Sequence, residues 1–418
     1  MAEVTDRRRR AAWLLAIAVS SIVAGFPLMH SADAAPTASR IAGADRYATA
    51  AAVSAQSFSP GVPAVYLATG ETFPDALAGT PVAAKAGGPV LLTQRDTLPA
   101  STAAELDRLN PTQIIVLGGT TAVSQAVQDQ LAPYATGTVT RIQGANRYAT
   151  AAAISAATFS PAVSKVYVAT GGNFPDALAG GPAAANAAGG GGPILLVGSD
   201  TIPPETATEL QRLAAQSVII LGGTTAVSDT VKNALENYSV DPVARRAGEN
   251  RYLTSVAVSN TTFSTAPKVY LATGANFPDA LAGGSPAGIA HGPVLLSGSD
   301  CIPPEVDAEI TRLNPESLIV LGGEAVLSNA VMNRTVCVPP STTTTTFPTP
   351  DCGTIPIPGC STSTSFTTTP PQQGVTAGEV CSPAGASGFT SEFTPMTCST
   401  VQCNGTPYDQ PRWRQTTC

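Results

Sequence analysis

An arginine–tyrosine pair occurs three times in the 418-residue chain, each time six residues after another arginine. The pairs are Arg46–Tyr47, Arg147–Tyr148 and Arg251–Tyr252, and the preceding arginines are Arg40, Arg141 and Arg245. A guanidinium group holds a phosphate or carboxylate through two parallel hydrogen bonds, in a geometry that lysine cannot match. This set is therefore a candidate clamp for an anionic glycopolymer. The alternative is that the arginines form salt bridges between repeats, to Asp45 or another carboxylate.

An aspartate also recurs, inside the repeated sequence F-P-D-A-L, as Asp75, Asp176 and Asp279. Each one follows a predicted strand and lies near the start of a predicted helix. Open α/β sheets bind their ligands at the carboxyl ends of the strands, so these carboxylates could accept hydrogen bonds from sugar hydroxyls. Alternatively, they cap the helix by accepting hydrogen bonds from its first backbone N–H groups. The sequence leaves both interpretations open.

The residue inventory argues against catalysis. His291 is the only histidine after residue 34, and the first two repeats contain no cysteine, so neither a catalytic triad nor a histidine-rich metal site can recur. The repeated Leu-Gly-Gly turns lack a dinucleotide or P-loop motif. Two carboxylates would suffice for a glycosidase, and one such pair recurs as Asp96, Asp200 and Asp300 with Glu105, Glu209 and Glu309. Three identical pairs fit a folding or binding role better, so we predict no enzyme, cofactor or metal.

The elements that carry these residues form a unit of about 100 residues, repeated three times: the F-P-D-A-L sequence returns 101 and then 103 residues later. In the first unit the apolar pattern predicts helices at 46–58, 74–85, 100–109 and 122–131. Short apolar runs predict strands at 64–69, 89–93, 114–117 and 139–142. Glu105 and Arg108 are three apart on a helix and are predicted to be surface neighbours. Alternating strands and helices predict an α/β fold with open, parallel, doubly wound (Rossmann-like) sheets.

The rest of the chain differs in composition. Residues 1–34 have a basic start, an apolar run and an A-D-A site typical of a cleaved signal peptide. An uncleaved anchor is the alternative, but the apolar run is shorter than a bilayer span requires. The predicted modules are 35–137, 138–241 and 242–338. A Thr/Pro-rich linker at 339–377 and a cysteine-rich mini-domain at 378–418 are predicted to follow.

The placement of the cysteines predicts disulfide bonds in an exported chain, and the net charge bears on the kind of partner. All eight cysteines follow residue 300, and an even number in an exported chain predicts disulfides. The candidates are Cys301, Cys337, Cys352, Cys360, Cys381, Cys398, Cys403 and Cys418. We expect Cys301 and Cys337 to join at the edge of the third repeat. A net charge of −7 argues against a nucleic-acid partner, and no membrane span is predicted after the signal peptide.

The collinear motifs R-x-x-G-x-[DN]-R-Y, F-P-D-A-L-[AS]-G and G-P-[VI]-L-L, followed by a Gly-Gly turn, resemble the cell wall-binding repeat 2 family over residues 39–335. The resemblance implies a secreted protein whose three modules attach non-covalently to an anionic wall polymer, in a pseudo-threefold arrangement as in clostridial members. Two alternatives remain: a structural or adhesive surface protein whose cysteine-rich tail binds a protein partner, and an accessory of a wall hydrolase. The third repeat departs from the others at Arg246 and in its G-G-E-A-V-L-S turn.

Overall fold

The computed structural model describes residues 36–173, 175–187 and 189–338, and five short strands between residues 387 and 415. The predicted signal peptide and linker therefore lie outside the described residues. The same holds for Cys352, Cys360, Cys381 and Cys418. Cys398 and Cys403 lie on described strands, but their side chains are not described.

Helices and strands alternate through three similar sets. The first is β1 (Thr37–Ile41), α1 (Arg46–Ser57), β2 (Ala64–Thr69), α2 (Pro74–Ala86), β3 (Val90–Thr93), α3 (Ala100–Leu109), β4 (Gln113–Leu117) and α4 (Gln125–Asp129). The second is β5 (Thr138–Ile142), α5 (Arg147–Thr158), β6 (Lys165–Thr170), α6 (Pro175–Leu178), α7 (Gly180–Ala185), β7 (Ile194–Val197), α8 (Pro204–Leu213), β8 (Ser217–Leu221) and α9 (Asp229–Leu235). The third is β9 (Ala244–Arg246), α10 (Arg251–Thr262), β10 (Lys268–Thr273), α11 (Pro278–Ile289), β11 (Val294–Ser297), α12 (Pro304–Leu313), β12 (Ser317–Leu321) and α13 (Asn329–Met332).

The helix predicted at 122–131 is wrong in length. Ser124 accepts a hydrogen bond from the Val127 N–H as the N-cap, so α4 begins only at Gln125. It ends at Asp129, because the N–H of Gln130 bonds to the carbonyl of Val127, three residues back. A separate 3₁₀ turn, Ala132–Tyr134, follows.

Each module contains a parallel four-stranded sheet whose last strand belongs to the next repeat. The strand orders are β3–β2–β4–β5, β7–β6–β8–β9 and β11–β10–β12–β1. The predicted α/β architecture with three parallel sheets is confirmed. The third sheet is completed by β1 from the start of the chain, with Thr37 opposite Ser317 and Ile41 opposite Leu321. The three modules therefore close into a ring through their sheets.

Both faces of each sheet are buried, as the continuous apolar strands require. In the first sheet Val65 and Leu67 face outward and pack with Leu106 of α3 in one cluster. Tyr66 and Ala68 face inward, toward the shared core around α2, α7 and α11. These three helices contact one another, and most of their residues are buried. The inner core therefore holds the modules together, whereas the outer clusters of the first and third sheets are separate from it.

The central helices approach closely because glycines face a threonine. A Cβ atom added at Gly181 or Gly284 would lie 2.5 Å from Cγ2 of Thr80, closer than real Cβ contacts allow. We expect Gly284→Ala to lower the free energy of unfolding by about 1–3 kcal/mol through overpacking. Urea denaturation measures this loss. Gly223→Ala is the control, since its Cβ would meet no atom within 4 Å, and equal losses in the two variants would contradict the packing described here.

The Glu105–Arg108 pair is not the surface pair predicted from the sequence. Glu105 is 5% exposed, and its two oxygens each lie 2.7 Å from nitrogens of Arg108. Arg108 also donates to the carbonyl of Phe58 at the end of α1. The two residues are neighbours as predicted, but Glu105 is not on the surface because α1 packs over this side of α3 and covers the glutamate. The same arrangement recurs at Glu209–Arg212 and Glu309–Arg312.

The third module has one further cross-link. Cys301, after β11, forms a disulfide with Cys337, after α13. Beyond the modules, β13 (Ser387–Phe389), β14 (Pro395–Ser399) and β17 (Arg412–Gln415) form one small antiparallel sheet. A second pairs β15 (Gln402–Cys403) with β16 (Thr406–Pro407). Within the described part of the chain, we find no helix with the length and apolar character needed to cross a membrane.

Candidate functional site

A cleft lies where the third module meets the first, at the carboxyl ends of the strands, and encloses about 330 Å³. One wall is the Gly43–Arg46 loop before α1. The other consists of the start of α11, including Asp279, and the 323–326 turn after β12. We call it the third–first cleft, and we use the names first–second cleft and second–third cleft for the two boundaries that carry the equivalent loops.

The loop before each first helix places an arginine at the module boundary. The N–H of Gly43 donates to Oγ1 of Thr49, and a side chain at Gly43 would overlap the backbone of Ala48. Oδ1 of Asp45 accepts hydrogen bonds from the N–H groups of Tyr47 and Ala48, which fixes the start of α1. Arg46 is therefore the first helical residue. The same loop recurs before Arg147 and Arg251, with Asn146 and Asn250 as the caps.

These three arginines are held in one orientation. Nη1 of Arg46 donates to the carbonyl of Gly70 at 2.6 Å, and Arg147 and Arg251 donate in the same way to Gly171 and Gly274. Among the described residues, the other guanidinium nitrogens have no hydrogen-bond acceptor. Salt bridges to Asp45 or another carboxylate, the sequence alternative, do not occur at these three arginines within the described residues. Each guanidinium is thus positioned while most of its donors stay available.

The neighbouring tyrosines contribute mainly through packing. Tyr47 is buried, and a Cβ atom added at Gly70 would lie 2.7 Å from its ring. Burial raises the pKa of the Tyr47 hydroxyl. Tyr148 and Tyr252 are half-buried against the equivalent glycines. The rings therefore support the loop that carries each arginine, and a direct contact with ligand stays a prediction.

The repeated aspartates do not cap their helices. The N-cap of α2 is Phe73, which makes no side-chain capping bond, and Asp75 is the second residue of the helix. Its carboxylate packs against Gly118 of the Gly-Gly turn, where φ is +97° and a side chain would overlap it. Asp176 and Asp279 lie against Gly222 and Gly322 in the same way. Each aspartate is thus held at the carboxyl end of its sheet.

The aspartate of one module faces the arginine of the next. Burial raises the pKa of Asp75 to about 6, and the charge of Arg147 opposes this shift. The Arg147 guanidinium lies 6.0 Å from the centre of the Phe73 ring. Burial likewise raises the pKa of Asp279, opposed by Arg46. Neither carboxylate is within salt-bridge distance of a base among the described residues, so the clefts hold opposite charges that are near but unpaired.

The raised pKa of Asp75 predicts a dependence of stability on pH. The folded chain binds this proton more tightly than the unfolded chain, so the free energy of unfolding should fall as pH rises from about 4 to about 6. The decrease in the free energy of unfolding that is due to Asp75 should be about 3 kcal/mol over this range. Asp75→Asn should remove this part of the dependence, which urea denaturation between pH 4 and 7 can measure. An unchanged slope in the variant would contradict the burial of an ionisable carboxyl at this position.

The second set of arginines stabilises the Gly-Gly turns. Arg40 donates to the carbonyl of Gly322 at 2.7 Å, and Arg141 donates to Gly118 at the same distance. Arg245 donates to Gly222 and also forms an ion pair with Asp229 at 3.1 Å. All three side chains are half-buried. The structure therefore gives them a role in shaping one wall of each cleft, and binding of ligand by these residues stays a prediction.

A model of the family described as Cell wall binding domain 2 (CWB2) matches residues 40–128, 141–232 and 245–332. The chain belongs to this family. The three matches coincide with the three structural repeats, so the resemblance seen in the sequence motifs is confirmed. The third–first cleft lies between the last CWB2 module and the first.

Several relatives share the CWB2 region. N-acetylmuramoyl-L-alanine amidase LytC of Bacillus subtilis (strain 168) is 30% identical over 71% of this chain and 57% of its own length. The Amidase enhancer of the same organism is 35% identical over 63% of this chain and 35% of its own length. Among solved structures, Cwp6 from Clostridium difficile has a TM-score of 0.64 at 25% identity, covering 72% of this chain and 48% of that one. Cwp8 also has a TM-score of 0.64, at 26% identity over 70% and 50% of the two chains. The chain spans little more than half of the first curated relative and about a third of the second.

The two carboxylates of the recurring pair have different surroundings in the first CWB2 module. Glu105 is buried in its ion pair with Arg108, whereas Asp96 is exposed beside Arg95 at 3.8 Å. A glycosidase requires one carboxyl as acid and a second as base or nucleophile across a shared substrate. The described residues also contain no group of three or more His, Cys, Asp or Glu that could hold a metal ion.

Asn276 and Glu324 line the third–first cleft but were not among the predicted site residues, and Asp45, which also lines it, was named only as a salt-bridge partner. The signal for two of them was present as a difference between repeats. Asp45 stands where the other modules have Asn146 and Asn250, and Glu324 stands where they have Thr120 and Thr224. The turn that carries Glu324 was noted as a departure of the third repeat, but its place in a cleft depends on the docking of two modules, which no single repeat shows.

Proposed function

We propose that the chain attaches non-covalently to the bacterial cell wall by binding an anionic wall glycopolymer in the clefts between its CWB2 modules. The observation that carries this proposal is the arginine at each boundary, anchored through one nitrogen. Arg46 and Arg147 also face an unpaired carboxylate of the preceding module. A guanidinium with free donors can hold a phosphate or carboxylate through parallel hydrogen bonds. In this proposal the protein is exported, binds without catalysis and acts at the cell wall.

The surroundings of each arginine suit a glycan better than a free anion. The clefts lie at the carboxyl ends of parallel strands, where α/β folds bind ligands. The carboxylates of Asp75 and Asp279 offer acceptors for sugar hydroxyls, and the Phe73 ring borders the guanidinium of Arg147. A neutral acidic side chain also repels an anionic polymer less than an ionised one, so binding should strengthen as pH falls below the pKa of Asp75.

Three clefts on one body suit a repeating polymer. Binding at one cleft raises the effective concentration of the next polymer unit at a neighbouring cleft, and avidity can exceed a single affinity by about 10²–10⁴. Weak individual contacts therefore suffice. The closed ring of sheets and the shared inner core keep the clefts in a fixed relation to one another.

Competition tests this function. Polymer released from isolated walls should displace the bound chain from untreated walls, and the same mass of peptidoglycan fragments freed of polymer should not. Displacement by the fragments alone would contradict recognition of the polymer and assign binding to peptidoglycan itself.

A second candidate function is that of an accessory to a wall hydrolase. The observation that favours it is the match to an amidase and to an amidase enhancer over the CWB2 region. Under this alternative the chain would raise the rate at which a separate amidase degrades walls. Release of wall fragments by a purified amidase, with and without the chain, distinguishes the two functions. An adhesive role of the cysteine-rich tail rests on residues outside those whose side chains the structure describes.

A further inference from the structure

The three clefts are built from the same loops, but their charges differ. In the third–first cleft, Asp45, Asp279 and Glu324 face a single guanidinium, that of Arg46. At the equivalent positions the first–second cleft has Asn146, Asp75, Thr120 and Arg147, which is one carboxylate for one guanidinium. The second–third cleft has Asn250 and Thr224, and its extra Glu249 is accompanied by Arg246. The third–first cleft therefore carries the excess of negative charge.

The N-cap residue of the first helix in each repeat, Asp45 or its equivalent asparagine, accounts for part of this difference in charge. Oδ1 of Asp45 accepts both N–H groups at the start of α1, which leaves its second oxygen without a partner among the described residues. Asn146 also caps with its oxygen, but its other group is an amide nitrogen, and this nitrogen donates to Glu205 at 3.1 Å. Capping needs only the first oxygen. Asp45 therefore has a charged hydrogen-bond acceptor where Asn146 has an amide donor, and the fold of the loop is the same.

The opposite wall of the third–first cleft also carries carboxylate oxygens without a hydrogen-bond partner among the described residues. Oε1 of Glu324 accepts a hydrogen bond from Asn329 at 2.9 Å, and Oε2 has no partner among the described residues. Asp279, on the same wall, is 7% exposed and has no hydrogen bond among the described residues. Threonine replaces the glutamate in both other modules. Three carboxylate groups with unused acceptors therefore line a cavity of about 330 Å³, large enough for part of a glycan.

We infer that the third–first cleft selects a cationic group, a primary ammonium on a wall sugar, whereas the first–second cleft takes an anionic group. Buried or partly buried carboxylates favour a charged donor, and ammonium supplies three N–H groups for them. Arg46 remains available for an anionic substituent on the same unit. This inference rests on the proposed function of the clefts, and it assigns the three clefts different parts of one polymer.

Binding of two matched sugars tests the inference. D-glucosamine carries an ammonium group at pH 6, and N-acetyl-D-glucosamine carries a neutral amide in its place. By saturation-transfer NMR, the full chain should bind glucosamine about tenfold or more tightly than the acetylated sugar, the size of one charge-assisted hydrogen bond. Asp45→Asn with Glu324→Thr, which introduces residues that the chain already uses at these positions, should remove this preference. Equal binding of the two sugars, or a preference unchanged in the variant, would overturn the inference.

A reciprocal variant and a wall assay complete the test. Asn146→Asp with Thr120→Glu, combined with Glu205→Ser so that the new carboxylate does not face Glu205, should give the first–second cleft the same preference and raise the number of glucosamine sites; no gain would overturn the role assigned to these positions. Circular dichroism checks that both variants fold. Wall binding without sugar preference would end this inference and leave the proposed function intact, whereas a chain that binds no walls would end the proposed function itself.

Discussion

Ile41→Ala is expected to loosen the third module, although Ile41 lies at the start of the first repeat. Its strand, β1, pairs with β12, and the N–H of Gly322 donates to the Ile41 carbonyl at 2.9 Å. The side chain is only 5% exposed. Removing it should leave a cavity and cost about 2–5 kcal/mol. Hydrogen exchange should therefore rise in Ser317–Leu321, because β1 is then held less firmly against this strand.

Ile142→Ala provides the matched control at the equivalent position of the second repeat. Ile142 is half-buried, and its strand pairs with Gln113–Leu117 of the first sheet. The loss of stability should be smaller, and the rise in exchange should appear in that sheet. If Ile41→Ala instead raised exchange in the first sheet, the ring closure described above would be contradicted.

Replacing Arg46, Arg147 and Arg251 together by glutamine should reduce affinity for isolated walls by about 10²–10⁴, because three cooperating contacts are lost. Each single replacement should reduce the affinity for isolated walls about tenfold, in line with the loss of one charge-assisted hydrogen bond. Glutamine keeps a donor for the glycine carbonyl, so the loop should stay in place. Sedimentation of fluorescently labelled protein with walls measures the apparent dissociation constant.

The control for this variant removes the same charge elsewhere. Arg95, Lys232 and Lys268 lie outside the lining of the third–first cleft and are exposed or half-buried. Their joint replacement by glutamine should leave wall affinity within about threefold of the original chain, since scattered surface charges contribute weakly. Equal losses in the two triple variants would indicate a diffuse electrostatic attraction and contradict recognition in the clefts.

Much of the fold follows from the sequence because local signals agree with one another. The helix at Ala100–Leu109 matches its predicted bounds, and the strand at Ala64–Thr69 does so too. The placement of Asp75 at the carboxyl end of a strand also follows from the order of the elements. Family membership could be inferred because four motifs recur three times in the same order.

Other features depend on contacts between residues distant in sequence. Nothing local to Thr37–Ile41 indicates that this strand completes the last sheet rather than the first. Glu105 was expected on the surface because helical spacing does not reveal that α1 covers it. Arg147 and Asp75 likewise lie close to each other because two modules dock, and no pattern within one repeat specifies this docking. Ring closure and the clefts are therefore properties of the assembled chain.

Retention of the chain by isolated walls, before and after acid removal of their secondary polymers, separates binding of the polymer from binding of peptidoglycan. We expect that untreated walls retain the protein, that stripped walls do not, and that the triple variant of Arg46, Arg147 and Arg251 is not retained by either. Undiminished retention by stripped walls, or none by untreated walls, would contradict attachment through an anionic wall polymer.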